Sequence, residues 1–226
     1  MIEAPRTRTE YPTGLVDEIT VLPDHMQQPD LTAKGLFVVE GLTVALAEQL
    51  IERSKEPAVA EMCPDAVKKG KPGRFGNMDN VIGWQLKERF STPLVREAGN
   101  GALKLYGMLW LGPESPKLPD EPHIPGATTT FAMRMYEGAT RQRLASPYLR
   151  AGMAAHGEYY GNEGAWLEHW DDNLTANDTY ANNGFVKVAQ IPSKRHGVAH
   201  DRVYRVFGEP NQETLDGIIL PEHKQA

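Results

Sequence analysis

Residues 167–185 read LEHWDDNLTANDTYANNGF, and this stretch is the most specific part of the sequence for the fold. Its first residues continue an apolar run that begins at Ala165, and this run predicts a β-strand. The segment LTANDTYANNG predicts a short helix that ends at Gly184, and FVKVAQI predicts a strand directly after it. A strand, a short helix and a second strand in close succession indicate an α/β layer structure.

A histidine and a carboxylate in this stretch are also typical of an iron site. His169 and Asp171 lie two residues apart on the predicted strand, so their side chains point to the same side. A non-haem iron oxygenase uses two histidines and a carboxylate, and His196 or His200 would supply the third ligand. The alternative is that His169 is a half-buried strand residue and that the polar residues up to Asn173 form the turn that caps the next helix.

Upstream of this stretch, further strands and helices can be predicted. Alternating β-branched and aromatic residues over 128–136 predict a strand, and helical spacing follows from Leu144. The turn residues Gly99-Asn100-Gly101 separate two strand-like runs, Leu94–Glu97 and Leu103–Leu111, and predict an antiparallel hairpin. A strand at 36–39, a helix with Thr43 as its N-cap, a helix over 81–89 and a strand over 202–207 complete the predicted α/β fold, which mixes antiparallel and parallel neighbours.

Bulk properties limit the class of protein. The 226 residues show no sharp shift in composition, which favours one domain at 31–208 with an irregular arm at 1–30 and a peripheral tail at 209–226. A formal charge of −6 argues against a protein that coats nucleic acid. No apolar run approaches the roughly 20 residues that a membrane-spanning helix needs, no secretory signal is recognisable, and the single cysteine fits a reducing compartment. We therefore expect a cytoplasmic protein without a membrane partner.

The stretch 167–185 resembles the GNAT superfamily of acyl-CoA N-acyltransferases. Family members end in a strand with Leu-Glu, an Asn, a helix that contains Ala and Tyr, and then Gly-Phe. The matching residues here are Leu167-Glu168, Asn173, Ala176, Tyr180 and Gly184-Phe185. The resemblance implies a central mixed sheet of six to seven strands, splayed in the middle and flanked by helices on both faces.

A second motif of the family lies upstream. Residues 140–145, TRQRLA, occupy the six positions of its acyl-CoA signature, Arg/Gln-x-x-Gly-x-Gly/Ala. Thr140 stands where Arg or Gln is usual, Arg143 stands where the first glycine is usual, and Ala145 fits the pattern. The resemblance implies that the diphosphate of coenzyme A binds this loop, where the first amides and the positive end of a helix favour an anion.

The resemblance also implies residue roles and a co-substrate, acetyl-CoA. The main chain of the preceding strand, at Met133 and Met135, would pair with the pantetheine arm, and backbone amides would stabilise the oxyanion. Asn173 would orient the cofactor arm or cap its helix. The residues predicted to bind the cofactor are therefore Met133, Met135, Arg141, Gln142, Arg143, Leu144, Ala145 and Asn173.

Two residues are predicted to be catalytic. A phenol with a pKa near 10 can give a proton to a departing thiolate without being a strong acid at neutral pH, and the family resemblance implies this role for Tyr180. The incoming amine is mostly an ammonium ion, so a base must first take its proton, and Glu168 is the candidate for this step. No metal is predicted in this reading.

The predicted function is acyl transfer from acyl-CoA to an amine by direct attack in a ternary complex. The acceptor is left open among a small molecule, a peptide and, less favoured by the acidic balance, a nucleic-acid base; a homodimer is also left open. Two alternatives come from other classes. One is the iron oxygenase built on His169 and Asp171, and the other is a non-catalytic protein that keeps the fold for recognition, which the arginine at position 143 suggests.

Overall fold

The computed structural model describes residues 14–62, 73–117 and 119–222. The described strands are β1 (Thr20–Val21), β2 (Phe37–Glu40), β3 (Phe90–Glu97), β4 (Leu103–Pro113), β5 (Thr129–Met135), β6 (Ala165–Trp170), β7 (Phe185–Arg195) and β8 (Val198–Phe207). The described helices are α1 (Pro29–Thr32), α2 (Val44–Arg53), α3 (Pro57–Met62), α4 (Met78–Gln85), α5 (Ala145–Tyr160), α6 (Leu174–Ala181) and α7 (Gln212–Asp216).

The strands form one open mixed sheet in the order β1-β2-β3-β4-β5-β6-β8-β7. Strands β5 and β6 are parallel, whereas the pairs β1–β2, β2–β3, β3–β4, β6–β8 and β7–β8 are antiparallel. The predicted mixed α/β fold is therefore confirmed. The strand number of six to seven is corrected to eight, because Thr20–Val21, in the predicted irregular arm, adds a short strand beside β2 at the sheet edge.

The chain divides into two compact units. Of the described residues, the first unit comprises 14–62, 73–112 and 133–161, and the second comprises 113–117, 119–132 and 162–222. Strand β5 begins in the second unit, with residues 129–132, and ends in the first, with residues 133–135. The predicted boundaries of arm, domain and tail stay a prediction.

Local signals explain the elements of the first unit. Thr43 Oγ1 accepts a hydrogen bond from the Leu46 amide at 3.3 Å, which confirms it as the N-cap of α2. Strands β3 and β4 pair from Phe90 with Leu111 to Glu97 with Leu103, as the predicted hairpin requires. Helix α4 begins three residues before the predicted start because Asn77 caps it, accepting from the Asn80 amide at 2.9 Å.

Helix α5 packs closely on the hairpin of the first unit. A Cβ atom at Gly152 would lie 2.5 Å from Leu109 Cδ1, so a larger residue at this position would force the Leu109 side chain to move. Tyr148 is buried, and its hydroxyl donates a hydrogen bond to the carbonyl of Thr92 in β3. Pro147 is the third residue of the helix, where its missing N–H costs no intrahelical hydrogen bond.

The second unit is built on the antiparallel strands β6, β8 and β7. Both β7 and β8 are longer than predicted, because the hairpin continues through polar residues to a turn at His196-Gly197, both with positive φ. The tail contains α7, and its Ile219 exchanges two backbone hydrogen bonds with His123, at 2.8 and 3.0 Å. The core of this unit consists of Ile124, Ala127, Trp166, Ala189, Ile191, Tyr204 and Val206.

Candidate active site

The loop between β5 and α5 holds two arginines in left-handed backbone conformations. Arg141 has a φ of 60° and Arg143 a φ of 58°. Such angles favour glycine and cost other residues roughly 1–2 kcal/mol each. Arg143 is the residue that stands at a glycine position of the acyl-CoA signature. The loop therefore has the backbone turn that glycine would permit, but with an exposed guanidinium in addition.

This loop leads into the N-terminus of a long helix. Helix α5 has 16 residues, and no side chain caps its first turn, since the N-cap residue is Leu144. Its first turn contains no acidic residue. The positive end of the helix dipole, together with the exposed side chains of Arg141 and Arg143, makes this position suitable for an anion such as a diphosphate.

One further cation, Lys34, contacts the loop, and a second, Arg96, contacts the Lys34 main chain; sequence reasoning missed both. Lys34 Nζ donates a hydrogen bond to the Gln142 carbonyl at 3.0 Å, and Gln142 Nε2 donates to the Gly138 carbonyl at 2.6 Å. Arg96 Nη2 donates to the Lys34 carbonyl at 2.7 Å, and its guanidinium lies 5.0 Å above the Tyr106 ring. No local pattern marks these cations, because only the tertiary fold brings Lys34 to the loop and Arg96 to Lys34.

The main chain at the end of β5 has a defined direction. The Tyr136 amide donates to the Tyr106 carbonyl of β4 at 3.0 Å, and the carbonyl of Arg134 also lies against β4. In an antiparallel pair, alternate residues direct their amides and carbonyls at the neighbouring strand. The amides and carbonyls of Met133 and Met135, the residues predicted to hold the pantetheine arm, therefore point away from β4.

Strands β5 and β6 part soon after they begin. Their register pairs are Thr129 with Ala165 and Thr130 with Trp166. Within the described residues of the second unit, the pairing does not continue to Phe131, although β6 stays paired with β8 up to Trp170. This fork agrees with the predicted splay of the sheet.

Tyr180 lies beside the fork. Helix α6 begins at Asn173, whose Oδ1 accepts a hydrogen bond from the Ala176 amide at 3.1 Å, so the capping role of Asn173 is confirmed. The Tyr180 side chain is 7% exposed, and its ring centroid lies 5.9 Å from that of Phe131. Because Phe131 is the first residue of β5 beyond the paired segment, the phenol lies at the point where the strands separate.

Comparison with known proteins gives a likeness in structure alone. No protein-family model and no curated protein matches the sequence. An acetyltransferase of the GNAT family from Bacillus anthracis matches with a TM-score of 0.52 and 13% identity, over 74% of this chain and 92% of that chain. The chain has the GNAT fold.

Other structures with the GNAT fold show the same extent of similarity. A protein from Salmonella typhimurium, described as an acetyltransferase and solved with its cofactor acetyl-CoA, matches with a TM-score of 0.55 and 13% identity. The match covers 80% of this chain and 98% of that chain. A variant of the spermidine N-acetyltransferase from Vibrio cholerae matches with a TM-score of 0.51 and 12% identity, over 76% and 94% of the two chains.

His169, the candidate iron ligand, has both ring nitrogens engaged on this GNAT fold. Its Nε2 lies 3.1 Å from Arg205 Nε, and its Nδ1 lies 2.9 Å from the Trp170 carbonyl. Because a guanidinium only donates, Nε2 accepts and Nδ1 carries the hydrogen. Burial, and after it the charge of Arg205, lowers the pKa of His169 and keeps the ring neutral. The ring therefore has no nitrogen available for iron, which disfavours the oxygenase alternative.

Asp171 belongs to a cluster of two aspartates and a histidine at the turn after β6. Donor atoms of Asp171, Asp172 and His200 lie within 4.8 Å of one another. Arg195, however, pairs with both carboxylate oxygens of Asp172, and this hydrogen bonding lowers the pKa of Asp172. The arginine side chain is 8% exposed and also lies 5.6 Å from the Trp170 ring. The group therefore acts as an ion pair that fixes the turn to the end of β7.

Glu168 lies on the opposite face of β6 from His169, as neighbouring residues of a strand must. Its carboxylate is 3.2 Å from Arg202 Nη1 and is 41% exposed. Burial raises the pKa of the neighbouring Tyr204, and the charge of Glu168 raises it further. Because the His169 ring faces Tyr180, at 5.9 Å between centroids, Glu168 and Tyr180 lie on opposite faces of the strand.

Among the described residues, no helix combines the length and the apolar character that would let it cross a membrane.

Proposed function

We propose that this protein transfers an acetyl or short acyl group from acyl-CoA, with acetyl-CoA as the co-substrate, to an amine acceptor. The fork after Thr130 and Trp166 carries the proposal, because a strand edge without a partner can bind an extended pantetheine arm. The GNAT fold supports it, since one protein of that fold was solved with acetyl-CoA. In this proposal the diphosphate binds at the start of α5, on the loop residues Arg141, Gln142, Arg143, Leu144 and Ala145.

The reaction proceeds by direct attack within a ternary complex. The neutral amine nitrogen forms a bond to the thioester carbonyl carbon, and amides of β5 stabilise the oxyanion, an interaction worth about 3–4 kcal/mol in other enzymes. The C–S bond then breaks, and the departing thiolate takes the proton of the Tyr180 hydroxyl. The proton that the attacking nitrogen still carries in excess passes through water to the Tyr180 phenolate, which leaves a neutral amide, a free thiol and the phenol restored. The ammonium proton of the acceptor leaves before attack, to Glu168 directly or through water. An opening between strands can be reached from both faces, so acid and base on opposite faces of β6 are compatible with one reaction.

The acceptor is proposed as an amine of a small molecule or a peptide, with a nucleic-acid base less favoured. A protein with the same fold acts on spermidine, which supports small amines as a class. The test is a thiol-release screen with acetyl-CoA against polyamines, amino acids, aminoglycosides, peptides and nucleosides. We expect thiol release that depends on one of these classes. If isothermal titration calorimetry detects no heat of binding at millimolar acetyl-CoA, the result would instead support the non-catalytic alternative.

Removal of the Tyr180 hydroxyl tests the proposed general acid. We expect Tyr180→Phe to lower kcat at least about tenfold with little change in acetyl-CoA affinity, since the hydroxyl assists only the leaving group. Steady-state kinetics with the best acceptor, together with cofactor titration, measures both quantities. Tyr159→Phe is the matched control, because Tyr159 lies on α5 and packs against Phe90. Unchanged turnover in Tyr180→Phe would remove the residue from the mechanism.

A further inference from the structure

Arg134 is a cation with an unusual set of neighbours. It lies in β5 between Met133 and Met135, so its side chain points to the other face of the strand from theirs. Its guanidinium lies 4.9 Å above the Phe75 ring and 5.5 Å from the Trp110 ring, and Nη1 is 3.4 Å from Ser54 Oγ. Among the described residues, no carboxylate pairs with it.

The aromatic platform beneath this guanidinium is rigid. The rings of Phe75, Trp84 and Trp110 contact one another edge to face, with centroids 4.8 to 5.5 Å apart and interplanar angles of 87° to 89°. All three side chains are buried. Because the rings fill the space between themselves, the platform fixes the position of the Arg134 guanidinium and leaves no room for a ligand beneath it.

The outer side of the guanidinium still has hydrogen-bonding capacity. An arginine has five N–H donors, and Ser54 takes one of those on Arg134. The Arg134 side chain is half-buried, and among the described residues none of its nitrogens is fully buried without a partner, so the nitrogens that do not contact Ser54 keep some exposure to solvent. By contrast, Arg53 in the same unit pairs with Glu56 at 2.7 Å. A fixed, partly desolvated guanidinium with open donors matches the two oxygens of a carboxylate.

We propose that Arg134 binds a carboxylate of the acceptor, so that the acceptor class is amines that also carry a carboxylate, such as amino acids. This inference depends on the proposed acyl transfer. Neighbouring residues of a strand are about 3.4 Å apart, so the Arg134 side chain leaves the strand between the two residues whose main chain is proposed to hold the pantetheine arm. The acceptor carboxylate would then lie about one arginine side-chain length from that main chain. The acceptor would approach from the face that carries Phe75 and Trp110.

The first experiment compares each amino acid with its carboxamide, which keeps the amine and removes the charge. We expect the wild type to favour the acid in kcat/KM by about ten- to a hundredfold, as loss of a charge-assisted hydrogen bond implies. Arg134→Met should remove this preference while the KM for acetyl-CoA stays unchanged. Arg53→Met is the control, because Arg53 already pairs with Glu56, and this variant should keep the preference for the acid. Equal use of acids and amides by the wild type would overturn the inference.

A second measurement needs no turnover and separates this inference from the proposed function. Trp84 and Trp110 form the platform under Arg134, so an anion bound there should change tryptophan fluorescence. We expect saturable quenching by succinate, none by succinamide, and none by either in Arg134→Met, whose circular dichroism should match the wild type. No response to succinate overturns the anion site. If acetyl-CoA binds, and amines without a carboxylate are acetylated as well as amino acids, the carboxylate inference fails while the proposed acyl transfer stands.

Discussion

Burial and one neighbouring cation determine the chemistry of His169. The ring accepts from Arg205 through Nε2, and it donates to the Trp170 carbonyl through Nδ1. Burial disfavours the charged ring, and protonation would also place a second hydrogen against a guanidinium. Both effects lower the pKa of His169, although the hydrogen bond to the Trp170 carbonyl and the charge of Asp171 act in the other direction. The imidazole therefore supports the strand as a neutral hydrogen-bonding group.

This neutral state makes stability depend on pH. The folded-state pKa of His169 lies below the unfolded value of about 6.5, so the unfolded chain binds the proton first as the pH falls. We expect the free energy of unfolding to decrease from about pH 6.5 downward, by at most about 1.4 kcal/mol per pH unit from this residue. His169→Gln keeps an acceptor for Arg205, so the free energy of unfolding should decrease less steeply with falling pH in this variant. Urea unfolding curves recorded at a series of pH values measure this slope. His123→Gln is the control, and equal slopes in all three proteins would contradict the assignment.

Single residues differ in how far the sequence reveals them. Tyr180 and Asn173 belong to a short motif with fixed spacing, and their positions beside the fork and at the helix cap follow from that local pattern. The period of two along a strand also implies that Glu168 and His169 face opposite sides. Lys34 and Arg96 could not be found, because only the fold brings Lys34 to the loop and Arg96 to the Lys34 carbonyl.

The start of the β5–β6 pair depends on one glycine. The Gly164 carbonyl accepts from the amides of Thr128 and Thr129, at 3.0 and 3.1 Å, and thereby starts the parallel pairing. The residue has a φ of 74°, and a Cβ atom would lie 2.3 Å from the Gly126 carbonyl oxygen. Both the backbone angle and the close approach therefore require glycine at this position.

We expect Gly164→Ala to lower the free energy of unfolding by about 2–4 kcal/mol, because strain and backbone clash add. Urea denaturation followed by far-UV circular dichroism measures the change. Gly197→Ala is the matched control, since Gly197 has a φ of 83° but an added Cβ atom there would meet no other atom within 4 Å. This control should cost only about 1–2 kcal/mol. Equal losses in the two variants would show that the close contact with Gly126 is relieved without cost.

Secondary-structure elements were predictable where a local signal marks them. The cap at Thr43 and the turn at 99–101 are such signals, and both elements were found. The two residues of β1 are too few for a pattern, and the ends of β7 and β8 are polar, so pairing alone defines them. The fork was expected only from the family resemblance, because no property of a single strand shows where its neighbour departs.

At the scale of the whole molecule, cofactor binding should increase the free energy of unfolding. A ligand at a hundredfold excess over its Kd adds about 2.7 kcal/mol, which for a chain of this size raises Tm by about 5–10 °C. We expect this rise with acetyl-CoA in differential scanning fluorimetry. Lys34→Met should show a smaller rise at the same concentration, because the lysine braces the loop, while its Tm without ligand stays near the wild type. If millimolar acetyl-CoA leaves the Tm of the wild type unchanged, the proposed cofactor site is contradicted.

The edges of the sheet bear on how copies of the protein associate. At one end β1 offers only two residues, and at the other β7 carries Lys187, Pro192 and Lys194 with exposed or half-exposed side chains. Short edges, lysine and proline all oppose the addition of a further strand. A homodimer, if one forms, should therefore use side-chain surfaces rather than a continuous intermolecular sheet, and concentrated solutions should resist fibre growth from either edge.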